Sequence, residues 1–167
     1  MTVDLTALTG RPRAVLAAMA ALCVGLLAFG LYLQHVVGLD PCPMCIVQRY
    51  ALIGVAVFAL AGAAWPGTGT RRAAALLVLL TAGFGAFVAA RQSWLQWFPP
   101  EVVTCGRDFY GMIEAFPLKR AVPMIFRGTG DCTAIDWTFL SLTIANWSFL
   151  NFLLLGALAL VLLLPRR

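Results

Sequence analysis

Four apolar stretches, near residues 14–33, 46–64, 73–90 and 144–164, constrain this chain more than any other feature. Each approaches the ~20 helical residues needed to cross a hydrocarbon core of about 30 Å. A 167-residue chain that is 62% hydrophobic and only 11% charged lacks the charge of a soluble domain, in which about a quarter of residues are charged. The pattern predicts one domain over residues 1–167, an all-α membrane protein built as a four-helix transmembrane bundle. The first stretch is longer than the roughly 7–15 apolar residues of a signal peptide, and it ends in "YLQHVV" rather than in small residues. It is therefore expected to be a retained helix.

The formal net charge of +5 raises the question of a nucleic-acid partner. Charge placement answers it. Arg11 and Arg13 precede the first span, Arg71 and Arg72 lie in the second connection, and Arg166 and Arg167 end the chain. Four threaded helices put all six on one side, which the positive-inside rule assigns to the cytoplasm together with both termini. Six of the seven acids fall on the other side, mixed with Arg91, Arg107, Lys119, Arg120 and Arg127. No basic stripe interleaves with aromatics, so no nucleic-acid partner is expected.

This threading leaves two outer loops, residues 34–45 and 92–143. Four of the five cysteines lie on that side: Cys42 and Cys45 in the first loop or the first turn of the second helix, Cys105 and Cys132 in the second loop. Cys23 sits alone in the first span, where a small buried apolar residue is the simplest reading. An oxidising compartment on the outer side permits two disulfides, Cys42 with Cys45 and Cys105 with Cys132. The second loop is rich in aromatic anchors, and its segment "DFYGMIEAFPL" is amphipathic enough to lie along the interface or to pack on neighbouring loops. Around Cys132, "RGTGDC" predicts irregular chain.

A C-x-x-C pair can be a redox dithiol, half of a metal site or a staple. As a staple its ring is too small to remove much unfolded-state entropy. An all-thiolate zinc site ordinarily joins two close pairs, whereas Cys105 and Cys132 stand far apart; no metal is expected. Redox use fits better. Pro43 suits the first position of a helix and makes Cys42 its N-cap, where the helix dipole favours a thiolate at either sulfur. Arg49 follows Cys45 by four residues and Cys42 by seven, so the three share one helix face. A snorkelling arginine is the bland alternative. The functional reading places a fixed cation beside a thiol and a membrane-soluble carrier such as a quinone, whose carbonyl oxygen gains charge on reduction. Gln34 and His35 lie at the same depth as further candidate donors. Asn146, Ser148 and Asn151 are expected to make helix-contact hydrogen bonds.

Together, the stretches "LQHVVGLDPCPMCIVQRYAL", "WLQWFPPEVVTC", "VPMIF", "GDC" and "WTFL" and the four-span order resemble the DsbB family of bacterial inner-membrane disulfide-bond-forming proteins. The resemblance implies a quinone-dependent protein-disulfide oxidoreductase with ubiquinone or menaquinone as cofactor, and a DsbA-like thioredoxin-fold oxidant as periplasmic partner. It implies that Cys105 and Cys132 meet that partner, with Cys105 forming the mixed disulfide. Freed Cys132 would then attack Cys42, releasing Cys45 beside a quinone held by Arg49. Some family members carry a histidine where this chain has Gln92; Gln96 matches the family. The vitamin K epoxide reductase family is an alternative by mechanism, although its redox pair lies late in the chain. A structural or metal-binding membrane protein is the alternative from another class.

Overall fold

The structure, a computed structural model, describes residues 10–99 and 130–164. Cys105 and the segment "DFYGMIEAFPL" lie outside the described residues, as do Arg166 and Arg167. Four long helices carry the fold: α1 (Pro12–His35), α2 (Pro43–Ala64), α3 (Thr68–Trp97) and, after a short α4 (Gly130–Thr133) and a hairpin, α5 (Ile144–Leu163). Each of the four is long and apolar enough to cross a membrane. The chain is a multi-pass membrane protein with the expected four-helix bundle.

The boundaries follow local chemistry. Helix α2 opens on Pro43 with Cys42 as N-cap, its sulfur accepting from the Cys45 backbone N–H at 3.4 Å. It stops at Trp65, ahead of Pro66, which cannot continue the ladder. Gly67, at φ 133°, reverses the chain into α3 at a backbone angle that side-chain-bearing residues rarely adopt. Helix α2 starts at Pro43, where the proline placed it, a few residues ahead of the apolar stretch itself, so Cys45 belongs to its first turn. One boundary differs from the sequence reading. Helix α3 continues to Trp97, so residues 92–97 are helical and not loop. The apolar run ends at Arg91, but Gln92, Ser93 and Leu95 beyond it are buried against the rest of the bundle. Polarity there marks a site inside the protein and not the end of the helix.

Helix α3 packs along both α2 and α5, and α1 packs along α2, whereas α1 and α5 meet only sparsely. The core is made of small residues with a few large ones set among them. Leu16, Met19, Val55, Val78, Phe152 and Leu155 are fully buried, surrounded by Ala20, Ala51, Ala59, Ala82, Ala89 and Ala159. Small residues let helix backbones approach closely where lipid offers no hydrophobic drive between helices. Gly62 is the tightest case at the end away from the cysteines: an added Cβ would stand 2.6 Å from Ala74 Cβ. An added Cβ at Gly85 would overlap the Phe152 ring.

Before α5, strands β1 (Thr138–Phe139) and β2 (Leu142–Thr143) pair antiparallel around a two-residue turn. Both turn residues, Leu140 and Ser141, have positive φ (50° and 63°), as tight hairpins require and glycine or asparagine usually supplies. The hairpin is tied to α5 by Trp147 Nε1 donating to the Phe139 carbonyl at 3.0 Å. Thr143 then caps α5, its hydroxyl accepting from the Asn146 N–H at 3.4 Å.

Candidate functional site

The chemistry collects at the end of the bundle where α2 begins. Cys42 is carried there by the N-cap geometry, with Cys45 one turn along. Their sulfurs stand 2.9 Å apart with both thiols free. Cys132, in α4, is fully buried and hydrogen-bonds Cys42 through its side chain. A second, small core surrounds this trio and includes Met44, Val88 and Leu95. The structure therefore brings a cysteine of the second loop onto the C-x-x-C pair, and Cys42 is the sulfur in the middle.

That position sets the electrostatics of Cys42. Hydrogen bonding with Cys132, then with Cys45, together with burial, pushes its thiol well above the ordinary thiol range. Helix dipole reasoning alone favoured a thiolate at either sulfur. At Cys42 the neighbouring thiols and the loss of water outweigh it, because clustered thiols share protons before they share charge.

Two buried amides face the pair. Gln92 of α3 points Nε2 at Cys42 Sγ (3.4 Å) and at Cys45 Sγ (3.3 Å). Its Oε1 accepts from Gln48 Nε2 of α2 at 2.7 Å. Both side chains are only 4% exposed. Gln48 was not singled out from the sequence. Its signal was available, since it lies three residues after Cys45 and so returns to the same side of the helix as that sulfur. Gln96, one turn past Gln92, accepts from the Thr143 hydroxyl at 2.7 Å and donates to the Ala134 carbonyl at 3.3 Å. It thereby joins the α5 cap to the chain that follows Cys132.

Beside the sulfurs, the sparse α1–α5 seam opens into a cavity of about 480 Å³. Its walls are mainly apolar, from residues such as Leu26, Phe29, Leu33, Leu52 and Phe152, and both Cys42 and Cys45 reach it. Phe29, Trp137, Phe139 and Trp147 form a chain of ring contacts with centroids 6.0–6.1 Å apart that frames the space. Arg49 lines the cavity as well. Nη1 donates to Gln34 Oε1 at 2.6 Å and Nη2 to the Gly30 carbonyl at 3.0 Å. Among the described residues Arg49 has no carboxylate partner, so a half-buried cation is held only by neutral acceptors.

The other sequence candidates separate. Gln34 contacts Arg49 rather than the cavity, acting as its holder. His35 is exposed on the last turn of α1 and is not part of the cavity wall. Ser148 and Asn151 line the cavity, and Asn151 Nδ2 donates to the Trp147 carbonyl of its own helix at 2.8 Å, in place of the expected helix-to-helix bond. Asn146 meets the cap through its backbone. Cys23 is buried among Leu16, Met19 and Ala20, away from the other sulfurs.

Residues 12–162 match the family model described as disulfide bond formation protein DsbB. Relatives named "Disulfide bond formation protein B" include one from Acidovorax sp. (strain JS42), 69% identical across 91% of this chain and 87% of its own length. Another, from Paracidovorax citrulli (strain AAC00-1), is 66% identical across 94% and 90%. A more distant one from Azoarcus sp. (strain BH72) is 57% identical across 96% and 98%. With a free C-x-x-C pair at a helix N-terminus, a third cysteine resting on it and a match spanning all four helices, the chain belongs to the DsbB family of disulfide bond formation proteins.

Proposed function

We propose that this protein reoxidises a periplasmic DsbA-like dithiol and delivers the electrons through its two cysteine pairs to a membrane quinone. The contiguity of three sulfurs, two of which reach an apolar cavity, carries the reading: Cys132 is hydrogen-bonded to Cys42, Cys42 lies 2.9 Å from Cys45, and Cys45 reaches the cavity beside Arg49. The reduced partner's thiolate attacks Cys105 of a Cys105–Cys132 disulfide, forming a mixed disulfide and freeing Cys132 as a thiolate. The partner's second thiol resolves that bond, leaving the partner oxidised and Cys105 and Cys132 reduced. Cys132 attacks Cys42 of the Cys42–Cys45 disulfide, so the Cys42–Cys45 bond breaks and Cys45 leaves as a thiolate. Cys105 closes on Cys132 and returns Cys42 to the thiol, leaving the inner pair reduced.

The cavity fits a quinone. About 480 Å³ lies within the range of small-molecule sites, and apolar walls suit a ring that partitions into lipid. Arg49, whose hydrogen-bond partners among the described residues are neutral, offers its guanidinium to an oxygen that becomes negative. A bound quinone supplies a two-electron, two-proton acceptor. This chain's part is to hold the ring between α1 and α5, to fix the guanidinium through Gln34 and Gly30, and to present Cys45. The arginine distribution supports a bacterial inner-membrane location with both termini cytoplasmic.

The test is an anaerobic thiol count on purified, fully reduced protein in detergent, before and after one equivalent of a soluble quinone. Loss of two thiols per quinone reduced, with Cys42 and Cys45 the first pair oxidised, is expected. Thiols that remain reduced, or copurifying zinc that blocks them, would overturn the proposal in favour of a structural or metal-binding role.

A further inference from the structure

Two amides fully buried in membrane-spanning helices are costly unless paired, and Gln48 and Gln92 are paired in a particular order. Gln48 Nε2 occupies Gln92 Oε1 at 2.7 Å. The same oxygen also lies 3.7 Å from Cys45 Sγ, within reach of its thiol hydrogen, but its short bond is the one from Gln48. With its oxygen so engaged, the Gln92 amide keeps its nitrogen towards the sulfurs, and that nitrogen carries two hydrogens for two acceptors, at 3.3 and 3.4 Å. A pair serving only to glue α2 to α3 would need the 2.7 Å bond alone. The approach of Nε2 to both sulfurs is an additional feature, and it falls on the two atoms whose bond is made and broken.

We propose that Gln92 is a catalytic hydrogen-bond donor to the Cys42–Cys45 couple and that Gln48 is the positioning residue that keeps its N–H groups on the sulfurs. The inference rests on the proposed use of this pair as a redox couple. When the Cys132 thiolate attacks Cys42, a Cys132–Cys42 bond forms, the Cys42–Cys45 bond breaks, and the electron pair of the broken bond departs on Cys45. The Gln92 amide, 3.3 Å from that sulfur, receives the charge. A thiolate is a far better acceptor than a disulfide sulfur, so the donor stabilises the reduced couple and the departing sulfur more than the oxidised couple. An amide has no proton to lose in the working pH range, so this donor is present in every state of the cycle. Arg49 holds the cavity side of the same region, where the charge goes next.

The experiment measures the thiol–disulfide exchange equilibrium of the Cys42–Cys45 pair against a dithiothreitol redox buffer. It uses full-length, quinone-free protein with Cys105→Ser and Cys132→Ser in every sample to isolate the couple. Gln92→Leu is expected to shift the equilibrium about tenfold towards the disulfide, the effect of one hydrogen bond to a charged group. Gln92→Glu keeps the acceptor for Gln48 but turns an oxygen towards the sulfurs; it is expected to shift the equilibrium in the same direction and covers the case in which the leucine variant does not fold. Gln48→Leu is expected to shift it less, and the double variant to match Gln92→Leu alone, because Gln48 acts through Gln92. Equilibria within twofold of the parent for both Gln92 variants, or additive effects of the two residues, would overturn the inference. A parent that forms no Cys42–Cys45 disulfide at all would instead overturn the redox reading on which it rests.

Discussion

The two ends of this bundle are built on opposite rules. At the end away from the cysteines, Leu16, Ala59, Val78 and Ala159 pack together, and Gly62 lies against Ala74 and Leu16, with no buried polar group among them. At the cysteine end lie all four buried polar residues recorded among the described ones: Gln48, Gln92, Ser93 and Thr143. Ser93 Oγ, next to Gln92 in sequence, is even buried without a hydrogen-bond partner among the described residues. One half gains stability from close contact of small residues. The other accepts desolvated amides, three neighbouring sulfurs and a cation whose hydrogen-bond partners among the described residues are neutral, an arrangement that places polar groups at a cost rather than maximising contact. A membrane protein of this size thus separates scaffold from chemistry along the bilayer normal rather than between domains.

Substitutions at each end sharpen this contrast. The largest effect is expected at the cation. Arg49→Leu should raise the quinone concentration needed for half-maximal turnover at least about tenfold, since it removes a charged donor, while partner binding stays intact. An unchanged quinone dependence would take Arg49 out of the site and weaken the division between the ends. In the dry half, Gly62→Ala should destabilise the protein by about 1–3 kcal/mol through overpacking against Ala74, read as a lowered thermal unfolding midpoint in detergent. Turnover of the molecules that remain folded should be close to that of the parent. A loss of turnover without a loss of stability would show that the two halves are not separable.

A smaller effect concerns pH. Hydrogen bonding with Cys132 is the leading cause of the raised Cys42 thiol, followed by Cys45 and burial. In reduced parent protein Cys42 should therefore stay protonated, and its alkylation by iodoacetamide should stay slow as pH rises through the usual thiol range. By the same linkage the reduced form holds a proton on Cys42 that the unfolded chain would release, so the contribution of this thiol to folding stability is complete below the unfolded thiol value and declines as pH rises above it. Cys132→Ala should quicken Cys42 alkylation several-fold at a fixed mildly alkaline pH. No change would mean that Cys45 and burial set the behaviour of Cys42, and that contact with Cys132 adds nothing.

Much of this was legible in the residues. Apolar runs of span length announced the four helices, because hydrocarbon requires every backbone group to be satisfied within the segment. Pro43 after Cys42 announced the helix start with Cys42 as its N-cap, and the spacing to Arg49 announced a shared face. These are local consequences of backbone geometry. Hydropathy failed at Gln92, where the polar run "RQS" reads as the end of a span although α3 continues to Trp97. A polar residue at a helix end has the same local signature whether it meets water or a buried partner.

What the sequence determined by itself is the class of molecule, the count and order of the helices, and the cysteine pair at the mouth of α2, all set by periodicity and composition within one stretch of chain. Tertiary structure alone decided that α1 and α5 leave a cavity between them, that Gln48 and Gln92 meet, and that Cys132 rests on Cys42 rather than elsewhere in its loop. The reason is physical. Partners such as Gln48 and Gln92 come from different helices, so which polar groups find each other depends on how helices pack, and helix packing is decided by the small residues at every contact at once.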